Sequence, residues 1–133
     1  MTNKNVFVSF HYGLDKHYKN LLNAWDANTA FNFKFTDRSV KVPINSNNAS
    51  VIRAGITKKM KTARYCLVIV GQETHKSQWV DWEIRKAKEL GLKLIGVKIS
   101  NSNPSPSALL GSNATWARSF SQEGIIKALN QML

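Results

Sequence analysis

The run Tyr65-Cys66-Leu67-Val68-Ile69-Val70 limits the folds open to this chain more than any other stretch. Six consecutive strand formers, too few for a helix and with no charged residue among them, describe a strand covered on both faces. Such a strand needs helices above and below the sheet that contains it. The sequence supplies them by alternating strand-like and helix-like patterns on either side of the run.

Ahead of it, Asn5 to Phe10 is short and rich in strand formers. A helix follows, with Asp15 as its expected N-cap and Tyr18, Leu21, Leu22 and Trp25 as its apolar face. Phe31-Asn32-Phe33-Lys34-Phe35 alternates with period two, as a half-exposed edge strand does. Arg38 to Asn48 carries Ser, Asn and Pro without periodicity and reads as a long surface loop. Ile52, Ile56, Met60 and Ala63 then mark the buried side of a helix that begins near Ser50.

Beyond the central run, Gly71 to Lys76 turns into another helix that ends at Gly91, and Leu92 to Ile99 is the next strand. Asn101 to Ser107 is a loop, Ala114 to Phe120 holds a brief strand containing Trp116, and Gln122 to Leu133 is a final helix facing inward through Ile125, Ile126, Leu129 and Met132. This order predicts one α/β domain over residues 1–133. Its architecture is a flavodoxin-like three-layer sandwich with a four- or five-stranded, mainly parallel sheet and right-handed crossovers.

A chain of 133 residues with 43% apolar content can bury a core of that size. No stretch reaches the roughly 20 apolar residues that cross a bilayer, so a cytoplasmic location without membrane contact is expected. Cys66, the single cysteine, reads as a small buried residue. The net charge of +11 favours anionic ligands in general. Its lysines and arginines are dispersed, however, and no nucleic-acid recognition motif accompanies them, so no specific nucleic-acid partner is expected.

In open parallel sheets, ligands gather at the carboxyl ends of the strands where strand order reverses. The groups expected there are Ser9, Phe10, His11 and Tyr12 after the first strand, Asp37 and Ser39 after the second, and Gln72, Thr74, Trp79 and Glu83 after the third. Glu83 stands out among them. At about 100° per residue, Val80, Ile84, Ala87 and Leu90 form one apolar arc, and Glu83 falls inside it while Asp81, Arg85, Lys88 and Glu89 lie opposite. An acid held in an apolar arc is costly. It serves either a reacting site or the positive end of its own helix, and the residues alone leave both open. His11 and Asp37 taken singly are ordinary turn residues.

Metal chemistry is not expected, since one cysteine and the scattered His11, His17 and His75 show no ligand spacing. Glycine-rich phosphate loops are also missing. A phosphoreceiver needs acids after the first and third strands, where this chain has Ser9 to Tyr12 and Val70-Gly71. One carboxylate does suit cleavage of an N-glycosidic pyridinium such as that of NAD: the departing base leaves already neutral, and the acid need only steady the positive charge on the sugar.

Three segments carry a family likeness. Val6-Phe7-Val8-Ser9-Phe10-His11-Tyr12, Thr36-Asp37-Arg38-Ser39 and above all Ser77-x-Trp79-x-x-x-Glu83 resemble the Toll/interleukin-1 receptor (TIR) superfamily, and more closely its bacterial TIR-like branch of the Thoeris antiphage defence type. The likeness runs from Val6 to about Leu133. It implies that Glu83 is the catalytic carboxylate of an NAD nucleosidase or ADP-ribosyl cyclase. By the same likeness, Ser9, Phe10 and His11 line the nucleotide site and the Arg38 to Asn47 loop gates it; Asp37, Ser39 and Trp79, placed at the same strand ends, are expected to bind the nucleotide with them. NAD is then a substrate, with no resident cofactor. The product is a cyclic or otherwise modified ADP-ribose that activates a separate effector protein, and a homo-oligomer is an expected working form. Asn5 and Val80 depart from the acid and the cysteine common at those places. Two alternatives stand beside this expectation: a TIR-like adaptor without catalysis, and a nucleoside deoxyribosyltransferase-like enzyme.

Overall fold

The computed structural model describes residues 5–27, 33–37, 47–117 and 119–131. Within them the strands are β1 (Asn5–Ser9), β2 (Lys34–Thr36), β3 (Tyr65–Val70), β4 (Lys93–Lys98) and β5 (Thr115–Ala117). The helices are α1 (Tyr12–Ala27), α2 (Ala49–Lys61), α3 (Gln78–Glu89) and α4 (Gln122–Asn130). All strand pairs are parallel, in the order β2-β1-β3-β4-β5, so the expected α/β architecture is present with five strands.

Every residue of β3 is buried, because it lies at the middle of the sheet with helices on both sides. On one face Val6, Val8, Tyr65, Leu67 and Ile69 pack with Leu22 of α1 and with Ile125 and Leu129 of α4. On the other, Phe7, Cys66, Val68 and Val70 pack with Ile56 and Met60 of α2 and with Val80, Ile84 and Ala87 of α3. Alternate strand residues therefore divide between two cores, as the pleat requires. Gly91, at φ +78°, ends the α3 turn where an L side chain would be strained.

Two expectations shift. Helix α1 begins at Tyr12, so Asp15 lies in its first turn and is not the N-cap. His11 takes the capping role: its carbonyl accepts from the amides of Leu14 and Asp15 at 3.1 and 2.8 Å, and its Nδ1 also accepts from Leu14 at 3.2 Å. The buried side of α1 is turned accordingly. Leu22 is fully covered, but Leu21 is 40% exposed, and Asp15 and Lys19 are buried. Strand β2 likewise starts later than the Phe31–Phe35 alternation implied, because its partners Asn5 to Phe7 align with Lys34 to Thr36. Phe31, the side chain of Trp25 and Met132 lie outside the described residues, as does most of the 38–48 loop.

Candidate functional site

The chain leaves β1 through α1 toward β2 at one edge, and leaves β3 through α3 toward β4 at the other. β1 and β3 are neighbours, so their carboxyl ends form the point at which strand order reverses. Ser9 ends β1 on the side facing α3. Glu83, in the second turn of α3, reaches back to it: Ser9 Oγ donates to Glu83 Oε1 at 2.7 Å, a length typical of a hydroxyl on a carboxylate. Both residues are 0% exposed.

The helix is aimed by its own start. Ser77 caps α3, its Oγ accepting from the Val80 amide at 3.2 Å. This cap sets the rotation that places Val80, Ile84 and Ala87 against β3 and β4, and Glu83 comes with them into the interior. Asp81 stays on the outer side, paired with Arg85 Nε at 2.9 Å. Beneath the site, burial and then the nearby Glu83 charge push the Cys66 thiol well above its ordinary range. Cys66 is thus an inert protonated thiol and no nucleophile.

The other expected site residues have contacts of their own. Phe10 is fully buried in the opposite core and stacks on Tyr12, with ring centroids 5.4 Å apart. His11 is half-buried at the start of α1. Because its Nδ1 is an acceptor, the neutral ring carries its proton on Nε2, which makes that nitrogen the available donor. Trp79 is 6% exposed and meets Trp82 edge to face at 6.0 Å, as a core aromatic does. Asp37 follows β2 and lies 3.5 Å from Lys19 Nζ, and its carbonyl accepts from Lys59 Nζ at 2.8 Å. It thereby ties α1 and α2 to the end of β2. Ser39 lies outside the described residues.

A second acid was read in the sequence only as a cap. Asp15 is 6% exposed, and its Oδ2 lies 3.4 Å from Thr74 Oγ1, which itself accepts from the Gly71 amide at 2.8 Å. The Asp15 carboxyl group lies across Gly71 so closely that a Cβ there would sit 2.4–2.8 Å from it, so any larger residue at 71 would have to push the Asp15 side chain aside. Burial raises the Asp15 carboxyl above the ordinary aspartate range, against the smaller lowering effects of Thr74, His11 and His17. The signal was available in the sequence. Asp15 stands three residues before Tyr18 and seven before Leu22, so it falls on the apolar side of the helix, an acid facing inward just as Glu83 is.

Concave surface elsewhere includes a cavity of about 560 Å³ bordered by His75, Ser77, Asp81 and Trp82, and an open groove of about 930 Å³ along α4. Neither is lined by Glu83. Among the described residues no group of three or more His, Cys, Asp or Glu could hold a metal ion, and no helix is long and apolar enough to cross a membrane.

Comparison with known proteins adds a family. The model described as "Thoeris protein ThsB, TIR-like domain" matches residues 7–104. No curated protein sequence matches the chain. Among solved structures, the chain is similar to a 2-deoxyribosyltransferase from Bacillus psychrosaccharolyticus, at TM-score 0.55 and 11% identity over 76% of this chain and 77% of that one. It is similar to the TIR domains of the activated Roq1 resistosome, at TM-score 0.51 and 15% identity over 73% of this chain and 59% of that one. A putative pilus assembly-related protein from Burkholderia pseudomallei K96243 aligns at TM-score 0.58 and 13% identity over 97% and 88%. At these identities the three structures speak for the fold alone.

Proposed function

This chain belongs to the family of the TIR-like domain of Thoeris protein ThsB, and from that membership together with its buried acid we propose that it is an NAD-consuming signalling enzyme. The observation that carries the reading is the Glu83–Ser9 pair at the carboxyl end of β1 and β3. A glutamate withdrawn from water and oriented by the Ser9 hydroxyl is suited to meet positive charge in a dry site, where its field is strongest.

In the proposed reaction the bond between ribose C1′ and the nicotinamide nitrogen breaks, and its electron pair neutralises the pyridinium. Glu83 steadies the ribosyl cation. A nucleophile then adds at C1′ and gives up a proton to solvent: water gives ADP-ribose, and a group of the same molecule gives a cyclic product. Ser9 orients Glu83, and His11, with its proton on Nε2, is a donor for a phosphate or ribose oxygen. The messenger so formed acts on a separate effector protein. Since Glu83 is 0% exposed, the ribose reaches it only when the groups covering it move.

That same complete burial favours a second reading, in which the Glu83–Ser9 pair is a structural bond and the domain assembles without catalysis. Incubating concentrated protein with NAD and following nicotinamide release separates the two. Turnover by the parent chain that falls by about 10²–10³-fold or more in Glu83→Gln supports the enzyme. Equal release by both proteins refutes Glu83 as the carboxylate, and no release at any concentration leaves the assembly module. A deoxynucleoside consumed while NAD survives would instead indicate glycosyl transfer between bases.

A further inference from the structure

We propose that Asp15 is a positioning residue for Glu83, acting through Thr74 and the loop that connects β3 to α3. The proposal rests on the reading of Glu83 as the reacting carboxylate. Its basis is that the segment running from β1 into α1 and the segment running from β3 into α3 are joined at two points. One is the Ser9–Glu83 bond at 2.7 Å; the other is Asp15 against Thr74 at 3.4 Å. Between them runs a short, closed circuit. Ser9 is three residues before α1, Asp15 lies in the first turn of α1, Thr74 opens the 3-10 turn Thr74–Lys76, and Ser77 directly after it caps the helix that bears Glu83.

Thr74 is the junction of this circuit and is 0% exposed. Its hydroxyl oxygen accepts from Gly71 N at 2.8 Å, while its single proton has two acceptors in reach, Ile69 O at 3.2 Å and Asp15 Oδ2 at 3.4 Å. With Asp15 as acceptor, the hydroxyl links α1 to the loop. Without it, the hydroxyl serves only the backbone of its own segment. Asp15 also fills the space above Gly71, so removing it frees that glycine as well as the threonine. Each loosening falls between the end of β3 and the cap of α3. A displacement of about 1 Å there is carried by a rigid helix to the carboxylate, enough to lower a rate by as much as about 10²-fold.

The test compares Asp15→Ala, Asp15→Asn and Thr74→Val for nicotinamide release, alongside the side-chain carboxyl carbon signal of Glu83 in the NMR spectrum. Positioning predicts that Asp15→Ala and Thr74→Val each lower kcat at least about tenfold with KM within about twofold, and that Asp15→Asn, which keeps shape and acceptor, restores most of it. The Glu83 signal should shift in the first two and return in the third. Unchanged kcat, a loss confined to KM, or an Asn variant as poor as the Ala variant overturns the proposal. Should Asp15→Ala fail to fold, Thr74→Val carries the same comparison. Should the parent release no nicotinamide, the functional reading falls by itself. The Glu83 signal then decides alone: moved in the Ala and Val variants and restored in Asn, positioning stands; unmoved, it is overturned.

Discussion

Asp15 and Glu83 are both carboxylates set in apolar helix faces, and they differ in what their surroundings do to them. Glu83 receives a short bond from Ser9 in the interior of one core. Asp15 has a longer contact, and burial raises its proton affinity. A folded-state pKa above the unfolded one means the folded protein binds the proton more tightly. Stability from this group is therefore greatest at low pH, declines as pH rises from the ordinary aspartate range through the folded value, and is level above it. Asp15→Asn has no charge to desolvate. Denaturant melts from pH 3 to 7 should show the variant at least as stable as the parent at neutral pH, with its advantage shrinking as pH falls. An advantage that grows on acidification would contradict the direction of the shift.

At the scale of elements, α3 carries the site, and its cap determines its aim. Ser77→Ala removes the acceptor for the Val80 amide and should cost about 1 kcal/mol in urea unfolding. The acid that depends on this helix should feel the change too, so nicotinamide release is expected to fall along with stability. α3 and its face were legible from residue spacing, and so were the buried face of α2 and the central position of β3. The start of α1 was less so. An aspartate followed by an amphipathic pattern reads locally as a cap, whereas the ring and carbonyl of His11, four residues earlier, satisfy the first amides. Strand β2 was displaced for a similar reason: alternation defines which residues face inward, and pairing to β1 defines where the ladder begins.

Across the whole molecule, charge is spread unevenly between the signs. There are 19 lysines and arginines against 8 acids. Of the acids, Glu73, Asp81 and Glu89 pair with Lys76, Arg85 and Lys86 one turn away on the surface, Asp37 pairs with Lys19, and Asp15 and Glu83 are interior. The local surface pairs contribute little each. The surplus of positive charge repels itself, and added salt screens that repulsion over a Debye length of about 10 Å at 0.1 M. The melting temperature should accordingly rise between low and moderate sodium chloride, a direction opposite to that of a fold held by exposed ion pairs.

The sequence by itself determined the layers, the order of elements and the anomaly at Glu83, because helical and strand periodicities are local and a charged residue in an apolar arc is visible without a neighbour. Only the tertiary structure decided that Ser9 is the partner of that acid, that Asp37 is drawn to Lys19, that Phe10 turns into the opposite core, and that Asp15 closes over Gly71. Those relations join residues far apart in the chain. They arise from how parallel strands register and which face each connecting helix covers, and neither is encoded in any single window of sequence.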